Sequence, residues 1–378
     1  MEQPDVIIVA AEPSGDALGA ELARSLKAHA PGLSLAGIGG ARMADAGLPS
    51  RVSIDGLAIL GFVEGLKAYP LVLRKVREVS DDILRANPQA VVLIDSWGFM
   101  VRVAKRLKAK GYTGRIIKYV APQVWAMRSG RARVLARHVD HLLSTQPMDA
   151  PFFEAAGLPQ TYVGNAVFDT DWGAGDAAAF RERHGIGEAP VLGVFYGSRP
   201  AEIMRVGPAI LRIAKAVRTQ VPGLTLAHSI AEPVRAEVEA LLREAPGLRC
   251  GPEELLDLFA ASDSALACSG TITSQLAAAG VPTVVVYRLQ PLTFAIASRL
   301  FRPSHISLVN IAAGEALMPE FMQDDIDGDG PADALVSFFK DDKRRETVSR
   351  ALKKQTAMMT APSSASDAAA AEVLRLIA

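Results

Sequence analysis

Four stretches hold residues whose types and spacing can do chemistry. Each has the same form: an apolar run, a turn rich in Gly, Ser or acid, then a helical pattern. In Ala10-Ala-Glu-Pro-Ser-Gly-Asp16, Ser14 or Asp16 can cap exposed helix N–H groups, and Gly15 lets a ligand approach the backbone. Such a turn binds an anion or a sugar hydroxyl, or is an ordinary capped connection. In Val91-Val-Leu-Ile-Asp-Ser-Trp-Gly-Phe99, four apolar residues deliver Asp95 to the end of a strand. A carboxylate there is either a general base or the cap of the next helix. Gly193-Val-Phe-Tyr-Gly-Ser-Arg-Pro-Ala-Glu202 places Gly197 and Ser198 at a helix start with Arg199 beside them. A helix N-terminus and a planar, permanently charged fork suit a diphosphate. Cys268-Ser-Gly-Thr-Ile-Thr-Ser-Gln275 repeats the pattern. Ser269, Gly270 and Thr271 can take a second phosphate, and Gln275, one turn into the helix, can reach a ribose hydroxyl. Two phosphate-type turns in one sheet suggest a nucleoside diphosphate rather than a lone phosphate.

The elements that must position these turns alternate. Val6–Ala11, Leu33–Ile38, Ala90–Asp95, Ile116–Val120, His141–Ser144 and Gln160–Val163 read as strands, with helical spacing over Gly15–Ala30, Leu71–Arg85, Phe99–Lys110 and Gly130–Arg137. The pattern weakens over Asp169–Glu188, which reads as a connection. It restarts with strands at Val191–Tyr196, Leu224–His228, Ala265–Cys268 and Thr283–Tyr287. The helices there are Ala201–Thr219, Pro233–Glu244, Glu253–Ala261 and Ile272–Ala279. The expected fold is α/β, two doubly wound Rossmann-like domains facing across a cleft, with ligands beyond the carboxyl ends of the strands. The domains are expected at residues 1–168 and 189–345. Helices over 346–378 are expected to cross back onto the first domain.

A chain of 378 residues with 49% hydrophobic residues has material for two cores. Two cysteines, Cys250 and Cys268, and six scattered histidines build neither a disulfide framework nor a four-ligand zinc site. Asp325-Ile-Asp-Gly-Asp-Gly330 resembles the start of an EF-hand loop, but Val336 stands where the twelfth-position Glu is needed. No metal and no cofactor are expected. There is no signal peptide and no apolar run long enough to span a bilayer, so a cytoplasmic protein is expected. Net charge is zero, yet Ser96–Val139 holds 11 Lys/Arg and no acid. That points to an anionic partner, or to a face balanced by acids folded nearby.

The same residues resemble the lipid-A-disaccharide synthase family, inverting glycosyltransferases of the two-Rossmann-domain GT-B type. The resemblance runs from about Val6 to about Asp324. It is carried by A-E-P-S-G-D, L-I-D-S-W-G-F, Y-V-G-N-A-V-F-D, G-S-R-P-A-E-I, S-G-T-I-T, A-G-V-P-T-V-V-V-Y-R, and Asn310-Ile with M-P-E-F-M-Q. The most specific tract is Y-V-A-P-Q-V-W-A-M-R-S-G-R over Tyr119–Arg131. Four positions depart from the family pattern: Ala11 for Gly, Tyr196 for Pro, Asn165 for His and Gln275 for Glu.

The resemblance implies transfer of 2,3-diacylglucosamine from its UDP derivative to 2,3-diacylglucosamine 1-phosphate, giving the β-1,6 disaccharide 1-phosphate and UDP. Asp95 is then the catalytic base. Ser14, Gly15, Asp16, Trp125 and Arg128 bind substrate, and Gly197, Ser198, Arg199, Ser269, Gly270, Thr271, Gln275 and Asn310 bind the nucleotide. The basic tract and the apolar stretch Leu57–Leu73, with Trp97, Trp125 and Met127, suit peripheral contact with the anionic inner face of the cytoplasmic membrane. A homo-oligomer is compatible with this reading. The rivals are a UDP-N-acetylglucosamine epimerase, the glycosyltransferase of peptidoglycan synthesis, or a non-catalytic module for anionic lipid or RNA. Few aromatics interleave with the charges, so no nucleic-acid partner is expected.

Overall fold

The computed structural model describes residues 3–54, 69–243, 245–290, 294, 298, 299, 301 and 303–378. Its first unit, Met1–Ala166 with Ala361–Ala378, runs through Val6–Ala10 (β1), Pro13–His29 (α1), Leu35–Ile38 (β2), Ala41–Asp45 (α2), Tyr69–Ala86 (α3), Ala90–Ile94 (β3), Trp97–Ala109 (α4), Arg115–Tyr119 (β4), Gly130–Ala136 (α5), His141–Ser144 (β5), Ala150–Glu154 (α6) and Gln160–Tyr162 (β6). The second unit, Val167–Thr360, contains Ala177–His184 (α7), Val191–Phe195 (β7), Pro200–Gln220 (α8), Thr225–Ser229 (β8), Arg235–Leu241 (α9), Leu248–Cys250 (β9), Leu255–Ala261 (α10), Ser264–Cys268 (β10), Thr271–Ala279 (α11), Thr283–Tyr287 (β11), Leu308–Ala313 (α12), Glu320–Met322 (β12), Gly330–Lys340 (α13) and Asp342–Ala357 (α14). Ala365–Ile377 (α15) completes the first unit.

Each unit holds a six-stranded parallel sheet, ordered β2-β1-β3-β4-β5-β6 and β12-β11-β10-β7-β8-β9. The strands at the middle, β1, β3, β7 and β10, are buried at every residue. Parallel strands covered by helices on both faces need this continuous apolar run. The outer strands β6, β9 and β12 have three residues each, which limits the exposed edge. The order reverses between β1 and β3 in one sheet and between β7 and β10 in the other, creating a crevice at the carboxyl ends of each pair.

Two strands, β9 and β12, and the helix α7 go beyond the sequence expectation. Helix α7 lies in the stretch read as a connection; Asp176 caps it by accepting from the Ala179 N–H at 2.9 Å, and Gly185 ends it in the left-handed region. Helix α15 lies on α1. Asp367 accepts from the Ser25 hydroxyl at 2.8 Å, and Ala369, Ala370 and Val373 pack with Val6, Ile8, Ala20 and Leu22. The small alanines let the two helices come close, and the contact seals one face of the first sheet.

Candidate active site

Asp95 and Ser96 follow β3 on one side of the first unit's crevice, and Glu12 and Ser14 follow β1 on the other. The Ser14 hydroxyl donates to Asp95 Oδ2 at 3.5 Å, and the Ser96 hydroxyl donates to Glu12 Oε1 at 2.7 Å. Asp95 and Ser96 are both left-handed, with φ of 50° and 38°. Such a conformation costs about 1–2 kcal/mol per residue, and it clusters where function requires a side chain to be aimed. The N-cap of α4 is Ser96, without a side-chain capping bond. Asp95 is therefore not that helix's cap, and its half-buried carboxylate is left facing the crevice beside Ser14.

Beneath this turn lies a residue that the sequence reading counted only as one charge of the basic tract. Lys118, in β4, is 1% exposed, and its Nζ donates to the Asp95 and Tyr119 carbonyl oxygens at 2.8 and 2.9 Å. Burial pulls its pKa down to about 7, against the opposing pull of Asp95 and Glu12. A lysine inside Arg-Ile-Ile-Lys-Tyr, flanked by strand residues that must be buried, was the signal available.

Two of the first-turn candidates make contacts within the scaffold. Asp16 is buried, and its carboxylate accepts the Gly40, Arg42 and Met43 N–H groups at 2.7, 2.9 and 3.2 Å. It ties α1 to the start of α2 and has its acceptor sites occupied. Gly15 faces the sheet: a Cβ there would meet Ile94 Cγ2 and Ala10 Cβ at 3.5 and 3.6 Å. The space there would admit a methyl group, so packing alone does not demand glycine.

The Tyr119–Arg131 tract crosses the same edge. Val120 and Arg128 are left-handed, with φ of 69° and 55°. Trp125 is buried, and its indole N–H nears the buried Asp149 without reaching hydrogen-bond geometry. Burial raises the Asp149 carboxyl to about 7, which the Gln146 backbone and the Trp125 N–H offset only in part. The folded state therefore holds a proton that the unfolded chain releases near pH 4, and stability falls as pH rises between about 4 and 7. Asp149→Asn should flatten that slope, removing a loss of roughly 2–4 kcal/mol across the window. Urea unfolding of both proteins at pH 5 and pH 8 measures it; parallel pH dependences would exclude the assignment.

Part of the basic run is engaged. Arg106 pairs with Asp81 at 2.8 Å and Lys108 with Asp140 at 2.7 Å, Arg102 lies over Tyr69, and Arg131 lies over Trp97. Positive charge surrounds His138, whose pKa is lowered by burial and then by Lys105, Arg137 and the Asp140-paired Lys108. Most of the apolar stretch Leu57–Leu73, residues 57–68, lies outside the described residues.

In the second unit a cavity of about 490 Å³ opens at the reversal between β7 and β10. Gly197, Ser198, Arg199, Ser269, Gly270, Thr271 and Gln275 all line it. Gly197 has φ +98°, which favours glycine, and a Cβ there would press on the Glu202 carboxylate at 2.8 Å. Glu202, buried, accepts the Ser198 N–H at 3.3 Å and the Arg199 guanidinium at 2.7 Å. Arg199 is otherwise 75% exposed. Releasing Arg199 altogether would strand the buried Glu202 carboxylate, so an arriving phosphate is best met by the exposed part of the guanidinium while the pair persists. The opposite wall comes from Ser229–Pro233, Pro252 and Leu255, which sequence reasoning did not assign.

Tyr196, one of the departures from the family pattern, forms part of the floor. Its hydroxyl lies 2.8 Å from His228 Nδ1, while His228 Nε2 lies 3.1 Å from the Pro246 carbonyl. The carbonyl accepts only, so Nε2 carries the proton and Nδ1 accepts from Tyr196. Burial lowers the His228 pKa to about 4 and keeps the ring neutral. Asn310 is not at the cavity. It is fully buried, donating to the Met318 carbonyl at 2.7 Å and to Glu320 at 2.9 Å and accepting the Met318 N–H at 3.0 Å. Its amide closes a chain turn, away from the residues that line the cavity.

Among the described residues, the acidic run at 325–330 shows no metal-type cluster; Asp327 pairs with Arg212 and Arg288 at 3.2 and 2.6 Å. His184, Cys250 and Glu254 bring donor atoms within 4.8 Å of one another. His184 and Glu254 already bond at 2.9 Å, and Arg183 holds the same carboxylate. No described helix is long and apolar enough to cross a membrane.

Comparison with known proteins gives a consistent result. The family model described as lipid-A-disaccharide synthetase matches residues 6–374. The lipid-A-disaccharide synthase of Rhodospirillum centenum is 39% identical over 347 residues, covering 90% of this chain and 86% of that one. Two solved structures share the fold. The glycosyltransferase of kitacinnamycin has a TM-score of 0.64 at 16% identity, covering 99% of this chain and 100% of that one. A UDP co-structure of MnaA from S. aureus has 0.62 at 11%, covering 98% and 95%.

Proposed function

The chain belongs to the lipid-A-disaccharide synthetase family and is a glycosyltransferase, and on that premise we propose how its two units divide the reaction. The family takes 2,3-diacylglucosamine from a UDP donor and joins it to 2,3-diacylglucosamine 1-phosphate. The observation that carries the division of labour is the convergence of seven candidate residues from two separate turns on one cavity of the second unit. The N-terminal turns of α8 and α11 both line that cavity, a setting suited to the diphosphate of UDP.

In this reading the acceptor 6-hydroxyl gives its proton to Asp95 as its oxygen attacks the anomeric carbon. The bond to UDP breaks with inversion, and Arg199 and the helix ends receive the negative charge. Ser14 orients the Asp95 carboxylate. Trp125 and Arg128 remain candidates for the lipid-bearing substrates. Release of UDP matched by disaccharide from the two acylated substrates tests the function. Conversion of UDP-N-acetylglucosamine to its epimer without acceptor would overturn it.

Arg199→Ala should weaken UDP binding by about 1.5–3 kcal/mol, the contribution of a hydrogen bond to a charged group. Calorimetry with UDP alone reads this directly, and an unchanged affinity removes Arg199 from the site.

The positive charge of Lys105 and Arg137 beside His138 supports peripheral attachment to the inner face of the cytoplasmic membrane, where the acylated substrates reside. Binding to anionic vesicles should fall steeply between low and high salt. Equal sedimentation with neutral vesicles would contradict it.

A further inference from the structure

We propose that Lys118 is a positioning residue for this reaction: its buried amino group holds the left-handed Asp95–Ser96 turn through the carbonyl oxygens of Asp95 and Tyr119 and so fixes where the Asp95 carboxylate stands. The inference rests on Asp95 being the base. Asp95 and Tyr119 end adjacent strands, and the Asp95 N–H already bonds the Tyr119 oxygen at 2.9 Å. Lys118 Nζ bridges both carbonyls at 2.8 and 2.9 Å, directly below two successive residues of positive φ. A conformation that L-residues disfavour persists only where its surroundings fix it, and this bridge is placed to do so.

Burying a lysine is costly unless its donors are used. Ile116, on the same side of β4, packs with Val103 and Leu107 of α4, so an apolar residue at 118 would have suited this face of the sheet. The charged groups acting on Lys118 are Asp95 after β3 and Glu12 after β1. Of the cations on the covering helices, Arg102 bonds the Gly98 carbonyl, Arg106 pairs with Asp81, Lys108 pairs with Asp140, Arg131 lies over Trp97, and Lys105 is exposed.

The amino group has a second consequence. Two acceptors are recorded for it, and a neutral amine still has two N–H donors. The bridge therefore survives loss of the proton, whereas the positive field beneath Asp95 and Glu12 does not. Position and charge are separable here. Since burial brings the proton's loss to about pH 7, the rate should carry an inflection in that region.

The experiment compares wild type, Lys118→Met, Lys118→Gln and Asp95→Asn in disaccharide synthesis across pH 5.5–9, with UDP affinity and urea midpoint measured on each. Lys118→Met should lose about 30- to 100-fold in kcat with UDP affinity unchanged and without the inflection near pH 7. Lys118→Gln, which keeps two amide donors but no charge, should recover at least several-fold of that loss, also without the inflection. It carries the test alone should the Met variant not fold. Three results overturn the proposal: kcat within threefold of wild type in Lys118→Met, an inflection that persists in either variant, or a loss of rate matched by an equal loss of UDP affinity. A wild type that makes no disaccharide, or a fully active Asp95→Asn, overturns the underlying reading instead. The Lys118 claim fails separately when Asp95→Asn is inactive and Lys118→Met is not.

Discussion

Asp95→Asn is expected to lower kcat by about 10²–10⁴-fold while leaving the fold and UDP affinity nearly intact. The acceptor hydroxyl is a poor nucleophile until a base takes its proton, and the amide cannot accept it. Asn is nearly isosteric, also tolerates the left-handed conformation, and can still accept the Ser14 hydroxyl through its carbonyl oxygen. Geometry is thus preserved and proton acceptance alone removed. The structure sharpens this test. Had Asp95 capped α4, Asn would have served equally well, but the cap position belongs to Ser96. Turnover of the variant near the wild-type rate would move the base to Glu12, the neighbouring acid across the crevice.

Asp16→Ala is expected to destabilise the protein by about 3–5 kcal/mol, read as a fall in the urea midpoint. The carboxylate collects three backbone N–H groups, two of them at the start of α2, and the substitution leaves all three without their acceptor. Asp16→Asn keeps one acceptor oxygen and should cost about half as much. Neither should change the acceptor KM of the folded fraction. An unshifted midpoint combined with a KM raised tenfold would return Asp16 to the substrate contacts that the sequence suggested.

Asp16 and Asp95 mark the boundary of what could be read from the chain alone. Both are acids following or near the end of a buried strand. Which one faces a ligand depends on where residues 40–43 fold, and no local pattern carries that information. The central strands were legible because a parallel strand covered on both faces must be apolar throughout, as in Val-Ile-Ile-Val-Ala and Ala-Val-Val-Leu-Ile. Strands β9 and β12 were not, because three residues are too short for any period to show. Helix α7 escaped through its Ala and mixed-charge composition, although Asp176 and Gly185 stood at its cap positions.

The phosphate-type turns were the most readable part of the site, since Gly197-Ser-Arg and Ser269-Gly-Thr each sit on one strand–turn–helix unit. Glu202 was on the same stretch, but its burial beneath Ser198 required the folded turn. Lys118 was hidden differently. Counting charges along Ser96–Val139 treats every cation as solvent-facing, and one of the 11 is at the centre of the sheet.

Helix α15 gives the chain an order of assembly. Residues 1–166 emerge from the ribosome with Val6, Ile8, Ala20 and Leu22 lacking their partners Ala369, Ala370 and Val373. The whole of Val167–Thr360 must be made before that apolar face is closed. The second unit is one continuous segment and can finish folding first. The unit that carries Asp95 is thus the slower to mature, and until residues 365–377 are available it presents a sticky surface of the kind that chaperones hold.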